Sequence, residues 1–396
     1  MRDIRIIADA GGLESIRDAW RMLLERAAFA EPASTPTWLL AWWRQFGDTD
    51  RRQLRVVAVE EGSRLIGLAP FSLRTVVHRR AIPVRCVELL ATGEDERDEI
   101  CSENVGILAE AGREADVADA VVDALTSGKL GAWDELRMSA MSGEDPILDP
   151  LRIALSRSNA TTAVEPCGEC PYIALPSTYD EYLALLDSSH RYVVVRALRE
   201  LEKWTGKGGF ELRRASTRAE IDEGRRILHS LHSERWSREG KEGVFVSERF
   251  TRFHDDVIAA FLEGRDGSVD LLWLEAKGEP IAAAYNIVYR GKVHFYQSGR
   301  KLDVPKQVRP GIAIHALAIQ AAIAAGHLEY DFMSGASQYK KQLALKTRTL
   351  VSLRAVAPSL RARATVATCS ALDRVIDRVR HTRDARAAAK GTAESH

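Results

Sequence analysis

Three strand-like runs follow one another between residues 269 and 299, separated by very short turns that contain glycine. The runs are VDLLWLEA, PIAAAYNIVY and KVHFYQSG, and the connections are Lys277-Gly278-Glu279 and Arg290-Gly291. Connections this short join antiparallel neighbours, because a parallel pair needs a crossover of about a dozen residues or more. The sequence therefore predicts an antiparallel meander at this place.

An apolar helix is predicted directly after the meander. In VRPGIAIHALAIQAAIAAG, Pro310 stands at the helix start and Gly326 just past its end, which are the positions that these residues favour. The helix is apolar nearly all round, so we expect it to be buried. The run HLEYDFMSG, residues 327–335, predicts a strand that closes the unit.

A comparable order of elements occurs earlier in the chain. Strand patterns cover 4–8, 54–60, 64–73 and 133–141, and helical patterns cover 13–27 and 115–128. After a strand at 172–175, helices are predicted over 178–203, 217–238 and 247–263. With 396 residues, the chain is long enough for two domains. The alternation indicates an α/β fold in two related units, although no residue-level repeat is visible.

Charge and cysteine content exclude several classes of protein. The 56 basic and 56 acidic residues balance, so nothing draws the chain as a whole to nucleic acid. The N-terminus lacks a secretory pattern and no apolar run approaches the ~18 residues of a membrane helix, so a cytoplasmic protein is expected. Cys167 and Cys170 form a C-x-x-C pair, but zinc needs two more ligands and no second pair exists, so no metal is expected.

Several segments resemble one family of enzymes. They are LHSERW (231–236), GVF (243–245), FH (253–254) and the stretches 271–299, 309–326 and 330–343. Together they look like the CelD/BcsL-type acetyltransferases of the GNAT superfamily, which are relatives of the peptidoglycan Fem aminoacyltransferases. The likeness is specific over about 180–350 and looser in TPTWLLAWWRQFG and RLIGLAPFSL of the N-terminal half.

The resemblance implies a tandem GNAT fold of class α/β (α+β), in which each domain has a mixed, mostly antiparallel sheet flanked by helices. We expect an N-terminal GNAT-like domain at 1–165, a C-terminal GNAT domain with the acyl-CoA site at 166–357, and a basic helical, partly disordered tail at 358–396. In this fold two central strands splay apart, and the pantetheine arm of an acyl-CoA lies between them.

The donor site is expected where the apolar helix begins. Helix N-termini bind phosphate, because unpaired N–H groups and a partial positive charge collect there. The resemblance assigns Arg309, Gly311, Ile312 and Ala313 to the pyrophosphate, and Tyr296 and Ser298 on the third strand to the same ligand. The superfamily loop has Gln or Arg three residues before the glycine, where this chain has Val308. The alternative is that Pro310-Gly311 merely begins a core helix.

Four side chains are candidates for the chemistry. Asp331 ends a predicted strand and is expected to accept a proton from the acceptor amine, the alternative being a capping role. Tyr339 and Lys340 match the family's Tyr-Lys pair, as a proton donor to the thiolate and a stabiliser of negative charge; a solvated basic face is the alternative. His232, favoured over His229 as a second candidate base, has packing as its alternative role.

Four further residues are expected to contact substrate. Arg235 and Trp236 follow His232 in the family pattern, Tyr285 lies on a central strand, and Arg196 belongs to an Arg-rich helix at 188–203. Two of them have a structural alternative: Tyr285 as a core tyrosine with a tethered hydroxyl, and Arg196 as part of a solvated face.

The resulting hypothesis is an acyl-CoA-dependent N-acyltransferase that acts by direct attack in a ternary complex. Its acceptor amine is an amino sugar, an amino lipid or a small metabolite. Two alternatives stay open: a Fem-like aminoacyltransferase that uses aminoacyl-tRNA, and a noncatalytic scaffold in surface-glycan or lipid biosynthesis. No nucleic-acid partner is expected for the acyl-CoA-dependent enzyme. The basic tail either docks on the protein itself or contacts the inner membrane surface.

Overall fold

The computed structural model describes residues 2–79, 81–238, 240–335, 337–374 and 376, and it has two α/β halves. The elements of the N-terminal half are β1 (Arg2–Ile7), α1 (Ala10–Ser15), α2 (Arg17–Arg26), α3 (Pro36–Phe46), β2 (Gln53–Leu54), β3 (Val56–Glu61), β4 (Arg64–Ala69), β5 (Phe71–His78), β6 (Ile82–Leu89), β7 (Leu108–Ala109), α4 (Glu114–Thr126), β8 (Glu135–Ser142), α5 (Leu148–Arg157) and β9 (Thr161–Ala174).

The C-terminal half repeats this order. Its elements are α6 (Tyr179–Leu185), α7 (Ser188–Thr205), β10 (Phe210–Arg214), α8 (Arg218–Arg238), α9 (Glu248–Leu262), β11 (Ser268–Ala276), β12 (Glu279–Tyr289), β13 (Lys292–Arg300), α10 (Pro310–Ala324), β14 (Glu329–Asp331), α11 (Gln338–Leu343) and β15 (Lys346–Val356). Residues 360–374 are helical, and the rest of the predicted basic tail lies almost entirely outside the described residues.

The predicted meander is confirmed. β11 pairs antiparallel with β12, and β12 with β13. Both residues of each connecting turn have positive φ, 54° and 80° at Lys277-Gly278 and 49° and 75° at Arg290-Gly291. This backbone matches the twist of the strands it joins, and glycine adopts it without strain. The local turn chemistry therefore fixes the strand pairing.

Helices cover both faces of this meander. On one face, Leu271 and Trp273 of β11 pack in the same hydrophobic cluster as residues of α8 and α9. On the other face, Leu272 and Leu274 pack with α7 and α10. Because β11 alternates sides while both sides are buried, it is apolar almost throughout. The prediction that α10 is buried is confirmed, since ten of its residues are inaccessible.

A single eleven-stranded sheet runs through both halves. Its order is β10-β11-β12-β13-β14-β9-β15-β8-β6-β5-β2, and β1-β3-β4-β7 form a second, four-stranded sheet. Pairing is antiparallel except for β13–β14 and β6–β8. The predicted fold class, α/β with two tandem halves of mixed, mostly antiparallel sheet flanked by helices, is confirmed.

The last strand of each half pairs inside the other half. β15, at the end of the C-terminal half, lies between β8 and β9, whereas β9 of the N-terminal half lies between β14 and β15. The boundary predicted between residues 165 and 166 falls inside β9. The halves are thus joined by exchanged strands as well as by a linker.

Candidate active site

A slot opens between β13 and β14. The two strands pair in parallel over three positions, Lys292 with Glu329, Val293 with Tyr330 and His294 with Asp331. Beyond this point β13 continues to Arg300, but β14 ends at Asp331, and the next residue, Phe332, stays bonded on the β9 side only, where its N–H donates to Pro171. The strand predicted over 327–335 is therefore short, and the edge of β13 beyond His294 has no partner strand on this side.

A cavity of about 640 Å³ lies beside this free edge. Its lining comes from the end of β13, the following loop, the first turn of α10 and the start of α11. The lining residues are Arg235, Ser298, Gly299, Arg300, Lys301, Leu302, Val304, Pro305, Lys306, Arg309, Pro310, Gly311, Ile312, Ile314, His315, Ser337, Gln338, Tyr339 and Gln342. The splayed strands and a helix N-terminus therefore face one space.

The first turn of α10 is suited to an anion. Arg309 is the N-cap with a left-handed backbone at φ 46°, and Pro310 follows at the first helical position. No side chain caps the helix and its first turn contains no acidic residue. A β-carbon added at Gly311 would lie 3.3 Å from the Arg300 side chain, so the glycine keeps this approach open. The positive end of the helix therefore faces the cavity directly.

Five basic side chains line the cavity, and none of its described lining residues is acidic. They are Arg235, Arg300, Lys301, Lys306 and Arg309. Lys301 also pairs with Glu279 at 2.6 Å. Such a surplus of positive charge in a concave site favours a polyanionic ligand. Of the donor-site residues predicted from sequence, Arg309, Gly311, Ile312 and Ser298 are brought together here.

The basic loop between β13 and α10 was missed by the sequence reasoning. It contributes Arg300, Lys301 and Lys306 to the cavity. A usable signal was present, because the stretch RKLDVPKQVR carries four basic residues and one acidic residue just before a predicted helix start. Charge runs at that place are typical of phosphate sites.

Tyr339 lies at the junction of the slot and the cavity. It hydrogen-bonds with the Ser298 side chain, and its ring stacks on His315 with centroids 5.2 Å apart. Burial raises the pKa of Tyr339 to about 12, although Arg235 and the Ser298 hydrogen bond act in the opposite direction. The phenol is thus protonated at neutral pH and available as a proton donor.

Lys340 is buried and holds the turn that follows β14. Its Nζ donates to the carbonyl oxygens of Met333 at 3.2 Å and Ser334 at 2.5 Å, and it lies over the Phe295 ring at 5.7 Å. Burial lowers the pKa of Lys340. The ammonium therefore shapes the end of the slot, and it is not among the residues that line the cavity.

Asp331 is buried beneath the slot and bound on both carboxylate oxygens. It accepts from the Met333 N–H at 2.6 Å and from Arg348 at 3.0 Å, and only 1% of the residue is exposed. Burial raises the pKa of Asp331, while His294 and Arg348 act to lower it. These contacts fix the strand ends and do not point the carboxylate at the cavity.

His232 also lies beside the slot without lining the cavity. Its Nε2 accepts from the Trp236 indole at 2.8 Å, and Nδ1 has no hydrogen-bond partner among the described residues. Burial, then Arg235 and His229, lower the pKa of His232 to about 4, so the ring is neutral at pH 7. Arg235 stacks on Trp236 and reaches the cavity, whereas Trp236 itself does not line it.

Four predicted residues are placed away from the cavity. The Tyr296 hydroxyl donates to the Ile100 carbonyl on the opposite face of the sheet. Tyr285 lines a separate apolar cleft beside α8 and α9, with its hydroxyl 3.4 Å from His254. Ala313 is buried in the core, and Arg196 contacts Tyr192 on the surface of α7.

Clusters of metal ligands and membrane-spanning helices are both absent from the described residues. Among the described residues, no group of three or more His, Cys, Asp or Glu side chains is arranged to hold a metal ion. No helix in the same part of the chain combines the length and apolar character needed to cross a membrane.

The chain resembles known proteins in part of its sequence and in its fold. Residues 188–341 match the sequence profile of the family described as "Acetyltransferase (GNAT) domain". No curated protein matches the chain. Among solved structures, FemX superposes with a TM-score of 0.58 at 9% identity, over 86% of this chain and 96% of its own.

A second structure gives a similar result. The C-terminal domain of a putative lysylphosphatidylglycerol synthetase from Agrobacterium fabrum superposes with a TM-score of 0.51 at 12% identity, over 91% of this chain and 96% of its own. At such identities the likeness is one of fold. Residues 188–341 are therefore similar to an acetyltransferase (GNAT) domain, and the chain as a whole resembles FemX in fold.

Proposed function

We propose that the protein is an acyl-CoA-dependent N-acyltransferase whose donor site lies in the C-terminal half. The observation that supports this most directly is the cavity of about 640 Å³ in which the free edge of β13 meets the uncapped start of α10. One wall offers unpaired strand backbone and the other offers helix N–H groups surrounded by basic side chains. An extended amide chain that ends in phosphates is complementary to both.

The donor would lie along β13 with its phosphates at the start of α10. The pantetheine amides would pair with the backbone between Phe295 and Arg300, as an added strand pairs with a sheet edge. The pyrophosphate would sit against Gly311, with Arg309 and Lys306 beside it. This pose directs the thioester toward the divergence of β13 and β14, where Tyr339 lies.

Most of the rate acceleration would come from positioning. A thioester held against an amine reacts with it directly, and effective molarities of about 10⁵ M or more are reached when the reacting groups are aligned. The amine nitrogen forms the C–N bond, the C–S bond breaks, the departing thiolate takes a proton from the Tyr339 hydroxyl, and the proton that the amine loses restores that hydroxyl. Lys340 would assist indirectly, because it holds the Met333–Ser334 turn at the slot.

The proposed acceptor is an amine of an amino sugar, an amino lipid or a small metabolite, and the proposed location is the cytoplasm. Peripheral membrane contact through the basic segment after Pro358 stays part of the proposal. The similarity to FemX is one of fold, so use of an aminoacyl-tRNA is treated as an alternative outcome of the test.

Isothermal titration calorimetry of the full chain with acetyl-CoA, longer acyl-CoA thioesters and 3′-dephospho-CoA tests the donor assignment. We expect one site per chain with a Kd in the range of about 1 μM to 1 mM that is usual for KM values. Weaker binding of dephospho-CoA would indicate that the basic loop contacts the 3′-phosphate. Binding of aminoacyl-tRNA without binding of CoA would favour a Fem-like enzyme, and binding of neither would favour a scaffold.

A further inference from the structure

A segment of the N-terminal half crosses the mouth of the slot in the C-terminal half. At one end, the carbonyl of Ile100 accepts the hydroxyl of Tyr296 on β13. At the other end, both carboxylate oxygens of Glu103 accept the N–H of Ser334, just past β14, at 2.9 and 2.8 Å. Residues 100–103 therefore bridge the two strands that splay apart, on the sheet face opposite α10.

Glu103 is the acidic side chain that this bridge brings to the slot. Apart from the Ser334 N–H, it receives the Cys170 thiol at 3.2 Å. Two carboxylate oxygens offer about four acceptor positions, so these two donors leave room for another. The residue as a whole is half-buried, whereas its carboxylate is largely shielded from water, so an acceptor would have to enter the slot to reach it.

The other candidate bases near the slot already bind neighbouring side chains. Asp331 is enclosed and ion-paired with Arg348, and His232 accepts from Trp236 through Nε2. Neither has the combination of partial exposure and spare acceptor capacity that Glu103 has. Since Ser334 also accepts from Lys340 through its carbonyl, Glu103 and the lysine bind the same turn from two sides.

Building on the proposed function, we propose that Glu103, supplied by the N-terminal half, binds the acceptor ammonium in the C-terminal site and takes a proton from it. Glu103 passes this proton to water. The free amine then forms the C–N bond and loses its second proton as the C–S bond breaks, while Tyr339 protonates the thiolate and is reprotonated by the amine's proton. The sum is ammonium plus acyl-CoA giving amide, CoA thiol and one proton.

The electrostatic setting fits a base that works near neutral pH. The pKa of Glu103 is raised to about 7, chiefly by burial and in part by the nearby Asp331, although the Ser334 N–H, the Cys170 thiol and Lys340 act to lower it. The other titratable groups that face it are Cys101 on its own segment and Tyr296 on β13. A base with a pKa close to the working pH is the most effective.

The test compares the variants Glu103→Gln and Glu96→Gln in the full chain. Glutamine keeps an oxygen for the Ser334 N–H, and Glu96 is an exposed glutamate on the same loop that serves as the matched control. Release of CoA thiol from acetyl-CoA is followed with glucosamine, ethanolamine and lysine methyl ester as acceptors. Hydroxylamine, a nucleophile that is mostly unprotonated at pH 7, serves as an acceptor that needs no base.

We expect Glu103→Gln to lower kcat with the protonated amines by about 100-fold, the lower end of general-base effects. Acetyl-CoA affinity, the thermal unfolding midpoint and transfer to hydroxylamine should stay close to those of the wild type. Because the base must be ionised, wild-type kcat/KM should fall as the pH drops below about 7, and the variant should lose this limb. Glu96→Gln should behave as the wild type.

The possible failures are distinguishable. If the wild type transfers to an amine and Glu103→Gln does so equally well with the same pH profile, the role of Glu103 is overturned and the acyltransferase stands. If acetyl-CoA binds but none of these amines is acylated, the amine-acceptor assignment is overturned and the role of Glu103 with it. A parallel loss with hydroxylamine would show that Glu103 has a structural role, which also overturns the proposal.

Discussion

The two halves share one order of elements but differ at the helix that follows the strand meander. In the C-terminal half, α10 begins without a cap and without an acidic residue. In the N-terminal half, α4 begins with Glu114 and Asp116 in its first turn, and the Glu114 carboxylate accepts the Gly112 N–H. A carboxylate at a helix N-terminus takes the place that an anionic ligand would occupy. Only the first arrangement is open to a phosphate.

The space between the diverging strands also differs between the two halves, and again only the C-terminal one is open. In both halves the parallel pair is three positions long. In the N-terminal half, however, the chain itself fills the divergence, because Asn104 donates its N–H to the carbonyl of Ala140 on β8. The C-terminal divergence opens instead on a basic cavity. The fold thus supplies one gap between diverging strands in each half. Whether a gap can bind a ligand is decided by the residues at the helix start and at the strand edges.

The largest expected effect tests whether the two halves unfold independently of each other. Arg348 on β15 pairs with Asp331 and Glu329 of the C-terminal half and with Glu144 of the N-terminal half. Arg348→Ala leaves Asp331 buried without its cation and leaves the half-buried Glu329 with Lys292 alone, so we expect it to lower the free energy of unfolding by about 3–5 kcal/mol. Calorimetry should show a single transition at a lower temperature for both halves.

The matched control for this change lies on the same strand. Arg354 pairs with Glu135 but is half exposed, and Glu135 keeps Arg137 as a second partner. Arg354→Ala should therefore cost less than about 1 kcal/mol. Two separate unfolding transitions in the Arg348 variant, one of them unshifted, would show that the halves are independent after all.

A second prediction concerns chemistry that only the C-terminal half can perform. All nine tyrosines of the chain lie after residue 171, so the N-terminal half has no counterpart of Tyr339. Tyr339→Phe removes the proposed proton donor, and we expect kcat for CoA release to fall about 100-fold while acetyl-CoA affinity is unchanged. Tyr192→Phe, on the exposed face of α7, is the control. Full activity in the Tyr339 variant would reject this assignment.

The third prediction concerns a variant in which the first turn of α10 carries an acidic residue, as the first turn of α4 does. Gly311→Glu places a carboxylate at the second helical position, beside the proposed pyrophosphate. Acetyl-CoA should bind about 30-fold more weakly, which corresponds to about 2 kcal/mol. Ala115→Glu makes the same change at the same position of α4 and should leave binding and its one-to-one stoichiometry unchanged. Equal losses in both variants would mean that the donor also contacts the N-terminal half.

The smallest expected effect comes from the basic loop. Lys306 is exposed beside the cavity, so Lys306→Ala should weaken acetyl-CoA binding about fivefold, or about 1 kcal/mol, and reduce its salt dependence. Lys129→Ala, an exposed lysine after α4, is the control. If dephospho-CoA loses as much affinity as CoA in the Lys306 variant, this lysine contacts the pyrophosphate and not the 3′-phosphate.

Local features of the fold were predictable, and long-range ones were not. The turns at Lys277-Gly278 and Arg290-Gly291 and the apolar run of α10 are visible in short stretches of sequence, and the structure confirms them. The exchange of β9 and β15 was not predicted, because pairing between residues 346–356 and 135–142 leaves no pattern in either segment alone. The short β14 was also missed, since its length depends on how far it pairs with β13, which no local pattern shows.

The same division holds for the candidate site. The helix start at Arg309–Ile312 was predicted because its residues are contiguous and each has a local reason to be there. Glu103 lies 231 residues before Ser334 in the chain, and no spacing rule connects them. The roles of Asp331, His232, Tyr339 and Lys340 stay predictions. The structure adds that the first two are buried and bonded away from the cavity, that Tyr339 lines it, and that Lys340 holds the turn after β14.

The exchanged strand has a consequence for the order in which the protein can be built. A ribosome completes β8 long before it reaches β15, roughly ten seconds or more earlier at a synthesis rate of about 5–20 residues per second. Throughout that interval β8 has an unpaired edge, which is a template for aggregation. The nascent N-terminal half must therefore wait for β15, and a transcript truncated before Lys346 would yield a protein with an incomplete sheet.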